Sequence, residues 1–200
     1  MPDWLFKPAP TEQRPPRPLV PSRLDDDDHG EAPANSFMRK AAVRGKLIHA
    51  LFERITDGAN LAHAENWLAA QQADDIDRAQ LLREVGAIAG HPDWGVFFSA
   101  HARSEVPLVA VVGTTVINGR VDRLVVEPGR VRVVDFKTGR QVPQTEAEVP
   151  LPFLRQMAHY QAALRTIFPD HDVELSLLFT HEPRLITLSD AILAPHYPAS

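Results

Sequence analysis

The stretch Asn118-Gly119-Arg120-Val121-Asp122-Arg123-Leu124-Val125-Val126-Glu127-Pro128-Gly129-Arg130-Val131-Arg132-Val133-Val134-Asp135-Phe136-Lys137 places two β-branched runs on either side of a Pro-Gly pair. β-Branched side chains suit a pleated strand and a Pro-Gly centre suits a tight turn, so residues 118–126 and 131–137 are predicted to form an antiparallel hairpin. With Pro128 and Gly129 as the turn, Glu127 faces Arg130, and counting back along both strands sets Asp122 opposite Asp135. Directly opposed Cβ atoms lie about 4.5–5.5 Å apart. Alternation puts Lys137 on the face of Asp135 and turns Phe136 to the other face with Val134.

Two carboxylates that close repel each other by about 3 kcal/mol at an effective dielectric near 20. A divalent cation between them would remove that penalty. Mg²⁺ takes one or two carboxylates and fills its remaining positions with water and phosphate oxygens. Such an ion polarises a phosphoryl oxygen and acidifies a bound water, and a neighbouring ammonium stabilises charge growing on the phosphate. Asp122, Asp135 and Lys137 are therefore a suitable kit for phosphodiester hydrolysis. The same residues also suit an ordinary solvated hairpin, with Asp122 paired to Arg120 or Arg123 and Asp135 to Lys137. Val133 and Phe136 argue against full exposure, but hairpin geometry by itself does not decide between the two.

Around the hairpin, Val43, Leu47, Ile48, Leu51, Phe52 and Ile55 recur at helical spacing over residues 35–56, with Asn35 or Ser36 available as N-cap. Helices are predicted near 60–72 and 75–89, broken by Asp57-Gly58 and Gly90-His91-Pro92, followed by a helical turn at 93–99. Residues 105–112 read as a strand, 151–168 as a helix, 173–180 as a strand and 185–188 as a shorter one. This order implies an α/β (α+β) layer fold with a helical N-terminal part, over residues 36–200. Residues 1–35 hold eight of the 18 prolines and the acidic run at 25–28, which reads as a stiff, acidic linker. A tail of that length suggests that something large precedes the domain.

Composition narrows the chemistry. With 200 residues and 44% apolar content the chain can bury one good core. It has no cysteine, which removes disulfides, thiol nucleophiles, zinc ribbons and cysteine-ligated iron–sulfur clusters. A net charge of −5 opposes indiscriminate coating of nucleic acid, though not a local basic track. There is no run of about 18 apolar residues and no signal-peptide layout, so a cytoplasmic protein without membrane insertion is expected. Arg44-Gly45-Lys46-Leu47 lacks the leading glycine and hydroxyl residue of a P-loop, and H-E-x-x-H is absent. His29 after the acidic run fits solvated linker charge better than a metal site.

Gly119-Arg120-Val121-Asp122-Arg123-Leu124, then Val134-Asp135-Phe136-Lys137-Thr138-Gly139, then Gln156 and Tyr160 resemble the RecB-like branch of the PD-(D/E)XK nuclease superfamily. A wider set is similar to the nuclease domains of the AddA helicase–nuclease family. It comprises Pro16-Arg17-Pro18-Leu19, Pro21-Ser22-Arg23-Leu24, Arg44-Gly45-Lys46-Leu47-Ile48-His49 and Leu154-Arg155-Gln156-Met157. The resemblance implies a restriction-endonuclease-like core, a central mixed sheet flanked by helices. It also implies that Asp122 and Asp135 are metal ligands, that Lys137 is the catalytic lysine, and that the Phe136 carbonyl and His49 contribute to the metal site. Glu105 matches an acid that binds metal through water or orients Lys137. Gln156 and Tyr160, four apart on one helix face, match a pair near the active site and the DNA. Mg²⁺ is the implied cofactor, with Mn²⁺ a substitute.

Beyond the site, the resemblance implies single DNA strands from a processed end as substrate, a helicase motor in the same or an associated chain, an AddB-like partner subunit, and a role in double-strand-break repair by recombination. Taken alone, His49 suits a packed or surface helix histidine better than a ligand, whereas Glu105 suits a solvated strand-end acid as well as a site residue. A nuclease-fold module that has lost catalysis and docks DNA or a partner subunit is a second reading, although Asp122, Asp135 and Lys137 are all present. A stand-alone exonuclease is a third, and the proline-rich tail argues against it.

Overall fold

The computed structural model describes residues 19–21, 36–55, 61–72 and 76–198. Most of the proline-rich stretch, the acidic run, the Asp57-Gly58 break and the N-cap candidate Asn35 lie outside them, and the other candidate, Ser36, is the first residue of its helix. The hairpin forms as the Pro-Gly pair predicts, between β2 (Thr115–Glu127) and β3 (Arg130–Lys137), with Gly129 at φ 74°. Glu127 opposes Arg130, and the register runs unbroken to Arg123 opposite Val134.

β1 (Arg103–Val112) pairs antiparallel with β2. Both strands are longer than predicted, and the chain reverses between them at Gly113, whose φ of 57° suits a residue without Cβ. α4 (Leu151–Ile167) then carries the chain over one face of the sheet to β4 (Asp172–Phe179), which lies parallel to β3, and β5 (Arg184–Leu188) closes the far edge antiparallel. The result is a mixed five-stranded sheet in the order β1-β2-β3-β4-β5, flanked by helices, as expected. A short α5 (Asp190–Leu193), capped by the Ser189 hydroxyl, follows β5 and was not among the predicted elements, although a serine cap before an acidic first turn is a helix-start pattern.

Strand alternation sorts the core into two layers. Val131 and Val133 of β3 face α4 together with Ile117, Val121, Met157, Tyr160 and Leu164. Val134 and Phe136 face the opposite way, onto α1 (Ser36–Arg54), α2 (Ala62–Ala69) and α3 (Arg78–Ala89), where Leu51, Phe52, Ile55, Leu68, Leu81 and Phe98 close a second core. α3 starts on an Asp77 side chain that accepts the Gln80 N–H. Among the described residues no helix is long and apolar enough to cross a membrane.

One buried charge ties the helical layer to the sheet. Arg123 is 0% exposed, and its guanidinium donates to the carbonyl oxygens of Phe52 and of Ile55, 2.6 Å from the latter, at the end of α1. The last carbonyls of a helix lack intrahelical donors and carry the negative end of its dipole, so a cation there satisfies both. The guanidinium also lies over the Phe98 ring, 5.5 Å from its centroid. Burial lowers its pKa to about 10, and nearby carboxylates, Asp122 first, oppose the shift. Arg123→Ala is expected to cost about 3 kcal/mol in urea denaturation, from unpaired carbonyls and a lost buried volume. Arg120→Ala, whose side chain makes an exposed ion pair with Glu105, should change stability by less than about 1 kcal/mol.

Candidate metal centre and active site

The ladders on both sides of β2 lapse at one place. On the β1 side Ser104 pairs with Arg123 and Val106 with Val121, but Glu105 and Asp122 between them do not pair. Glu105 has φ 52°, a left-handed conformation that is uncommon for a residue with a side chain. Alternation also slips there. Val106 and Val121 face α4, whereas Ser104 bonds the Glu53 carbonyl of α1 and Arg123 enters the α1 layer. Two residues apart in each strand, these side chains should share a face, so each strand carries one residue out of phase.

The slip decides where the carboxylates go. The expected pairing of Asp122 opposite Asp135 is not made, because the β2–β3 ladder ends one position earlier, at Arg123 and Val134. Asp122 Oδ2 instead accepts the backbone N–H of Phe136 at 2.7 Å and lies 3.4 Å from His49 Nδ1. His49, Glu105 and Asp122 each offer a ligand atom within 4.8 Å of the others. In an extended strand the C=O of Phe136 points to the same side as its N–H, toward Asp122.

His49 comes from α1, one turn after Gly45. A Cβ at Gly45 would stand 2.8 Å from Thr138 Oγ1, so the missing side chain lets α1 close on the end of β3. The His49 ring meets the edge of Phe136, centroids 5.9 Å apart. Burial works against a charge on His49, but the Asp122 hydrogen bond and the charges of Asp122, Asp135 and Glu105 prevail and raise its pKa.

Asp135 and Lys137 project to the α4 side. Asp135 is 4% exposed, with Oδ2 3.0 Å from Lys137 Nζ. Lys137 also donates to Gln156 Oε1 at 2.7 Å and sits 4.0 Å from the centroid of the Phe153 ring. The Tyr160 hydroxyl donates to the Arg120 carbonyl at 2.7 Å, and the Gln156 amide reaches that hydroxyl at 3.5 Å. The Tyr160 ring packs so closely on β2 that a Cβ at Gly119 would stand 2.6 Å from it. The pair on α4 therefore holds Lys137 from one side while Asp135 holds it from the other. Asp122 does not pair with Arg120 or Arg123, which go to Glu105 and to α1; Asp135 does pair with Lys137, but in a buried rather than a solvated setting.

Burial pushes the Asp135 carboxyl up to about 6; Lys137 opposes this shift, while the Asp122 charge adds to it. The donor set, one imidazole with carboxylates on a partly enclosed surface, fits a divalent cation of the Mg²⁺ or Mn²⁺ kind. The sequence marks Gly45 as a place of close approach but does not name Thr138 as what approaches it, and it gives no account of the Phe153 contact with Lys137. The latter had a signal, since Phe153 lies three residues before Gln156 on the same helix face.

A profile of the PD-(D/E)XK nuclease superfamily matches residues 26–193. The chain belongs to that superfamily. No curated protein matches it significantly. Among solved structures, the one titled "Crystal structure of SSO0001" is 17% identical, covers 80% of this chain and 83% of its own, and superposes with a TM-score of 0.34. That superposition is too loose to bear on fold or function.

The raised pKa of Asp135 has a defined sign. The folded chain holds this proton more tightly than the unfolded one, so the stability from the neutral form is complete below about 4 and is lost as pH rises through about 6. His49 acts in the same direction, losing its contribution as pH rises past its raised value. Asp135→Asn fixes the neutral state in nearly the same shape. In chelator-treated protein the variant should be more stable than the parent by on the order of 2 kcal/mol at about pH 8, and the gap should close toward about pH 4 in parallel thermal melts.

Proposed function

We propose that this chain is a Mg²⁺- or Mn²⁺-dependent deoxyribonuclease that hydrolyses phosphodiester bonds in single DNA strands. The observation that carries this reading is the gathering of His49, Glu105 and Asp122 within 4.8 Å, beside the buried Asp135–Lys137 pair, in a PD-(D/E)XK nuclease chain. His49, Glu105 and Asp122 would hold the ion, with Asp135 and the Phe136 carbonyl adjacent. When bound, the ion supplies Lewis-acid polarisation of the phosphate and acidifies the attacking water.

The chain's own groups do the rest. Lys137, held by Asp135 and Gln156, presents a fixed ammonium to charge developing on the scissile phosphate. Because Gln156 accepts one Lys137 proton and Asp135 accepts another, the side chain is held in one orientation without help from solvent. Tyr160 anchors this arrangement to the β2 backbone; burial raises its pKa, so the phenol remains a hydrogen-bond donor.

The Gly119–Leu124, Val134–Gly139, Gln156 and Tyr160 motifs support the finer reading of a RecB-like, AddA-type exonuclease module. On that reading it is cytoplasmic, belongs to double-strand-break repair, and is fed by a helicase motor with an AddB-like partner subunit. The test is direct. Purified chain with Mg²⁺ or Mn²⁺ should degrade linear single strands and leave blunt duplex ends intact until a motor unwinds them. Asp122→Asn and Lys137→Ala should each lower cutting by at least about 100-fold with unchanged strand binding. If the chain binds Mn²⁺ in calorimetry yet leaves single strands whole, alone and with a motor, the enzymatic reading fails and a docking module takes its place.

A further inference from the structure

A cavity of about 420 Å³ opens beside Lys137 on the side away from His49, and no step of the chemistry above uses it. Its walls are the Phe153 ring, Pro150, the Thr138–Arg140 turn and the Gln141 side chain, with the buried Phe179 behind. We propose that this cavity takes one unpaired nucleobase of the strand being cut, stacked on Phe153 with its polar edge toward Gln141. The proposal rests on the nuclease reading for what lies next door and adds a base-holding subsite to it.

Three observations carry it. The first is the chemistry of the walls. Phe153 sits in the first turn of α4, only partly buried, with Lys137 over its ring; an aromatic face beside an amide and a hydroxyl suits a flat heterocycle with hydrogen-bonding edges. The second is position, because Thr138 borders three cavities at once. One holds Phe153, one holds His49 and Glu105, and one of about 370 Å³ holds Lys40, Arg44, Arg140 and His181. Among the charges lining this third cavity, Lys40, Arg44 and Arg140 outnumber the single acid, Glu84. A strand crossing Thr138 can therefore set a phosphate before the ion and Lys137, a neighbouring phosphate in the basic groove, and a base in the aromatic cavity. The third is access. A base in a duplex is paired and stacked, so it enters only after unpairing. The cavity thus selects single strands by shape, which the −5 net charge of the chain could not achieve by electrostatic attraction alone.

The experiment scans an abasic site along a single strand and maps cuts made by the full chain with Mn²⁺. In the parent, an abasic residue at one fixed distance from the cut should suppress that cut about tenfold. Phe153→Leu, which keeps apolar bulk but offers no ring, should lower cutting of intact strands by a similar factor and erase the abasic effect. Gly139→Leu approaches the cavity from a position where an added Cβ meets nothing within 4 Å, so it should narrow the cavity and act in the same way without touching the core. A second arm measures strand binding by anisotropy in chelator, where Phe153→Leu should weaken binding of the intact strand and not of the abasic one.

A flat abasic scan in a parent that cuts overturns the base pocket and leaves the nuclease reading standing. The pocket is overturned in the same way if Phe153→Leu slows intact and abasic strands equally, because that ring would then act only through Lys137. Base-dependent, Phe153-dependent binding without any cutting supports the pocket and removes the nuclease reading. A parent that neither binds nor cuts overturns both.

Discussion

The lapse of the β-ladder at Glu105 and Asp122 is the constraint on which the site depends. With perfect alternation, Asp122 would stand among the side chains facing α4, beside the already buried Asp135, and the two charges would repel at close range. The slip in both strands moves Asp122 to the seam between the layers, where it meets His49 from α1 and Glu105 from β1. A left-handed Glu105 costs about 1–3 kcal/mol. Part of this is recovered locally, since the Phe136 N–H that continued pairing would have used is satisfied by the Asp122 carboxylate.

That seam holds only if α1 lies at one height on the sheet. Arg123, next to Asp122 in sequence, fixes the end of the helix through two of its carbonyls, and the glycine at position 45 lets its middle approach Thr138. The residue that binds the helix and the residue that faces its histidine are neighbours on one strand. Displacement of α1 along its axis would thus uncouple His49 from Asp122 and the helix carbonyls from Arg123 together. A buried, incompletely paired arginine contributes less to stability than to fixing one arrangement among several.

Much of this was legible in the sequence, and the failures have physical causes. The Pro128-Gly129 turn fixed the register correctly for every pair up to Arg123 and Val134, because turn geometry propagates as long as strands alternate. It failed at Asp122, where alternation stops. The sequence carries no clear trace of that, because a sheet buried on both faces makes adjacent residues such as Leu124 and Val125 apolar with or without a slip. The burial of Arg123 had no trace either, since charge argues for exposure until a partner is known, and its partners are carbonyls some seventy residues away. His49 and Glu105 were legible only through family resemblance, because spacing along the chain says nothing about which helix meets which strand.

β3 explains why the pieces meet where they do. It is the central strand, antiparallel to β2 and parallel to β4, so the sheet changes from hairpin to crossover architecture at this strand. Beyond the carboxyl end of β3 the chain turns away toward α4 on one face while α1 packs on the other, and cavities open there around Thr138. Asp135, Phe136 and Lys137 occupy that end and point alternately to the two layers. Each layer then contributes what its environment favours. The wetter α1 side supplies the imidazole and carboxylates that can share a hydrated ion, and the drier α4 side holds an ammonium in place with an amide and a buried carboxylate. Both sets of groups converge on one opening because consecutive residues of a strand face opposite ways.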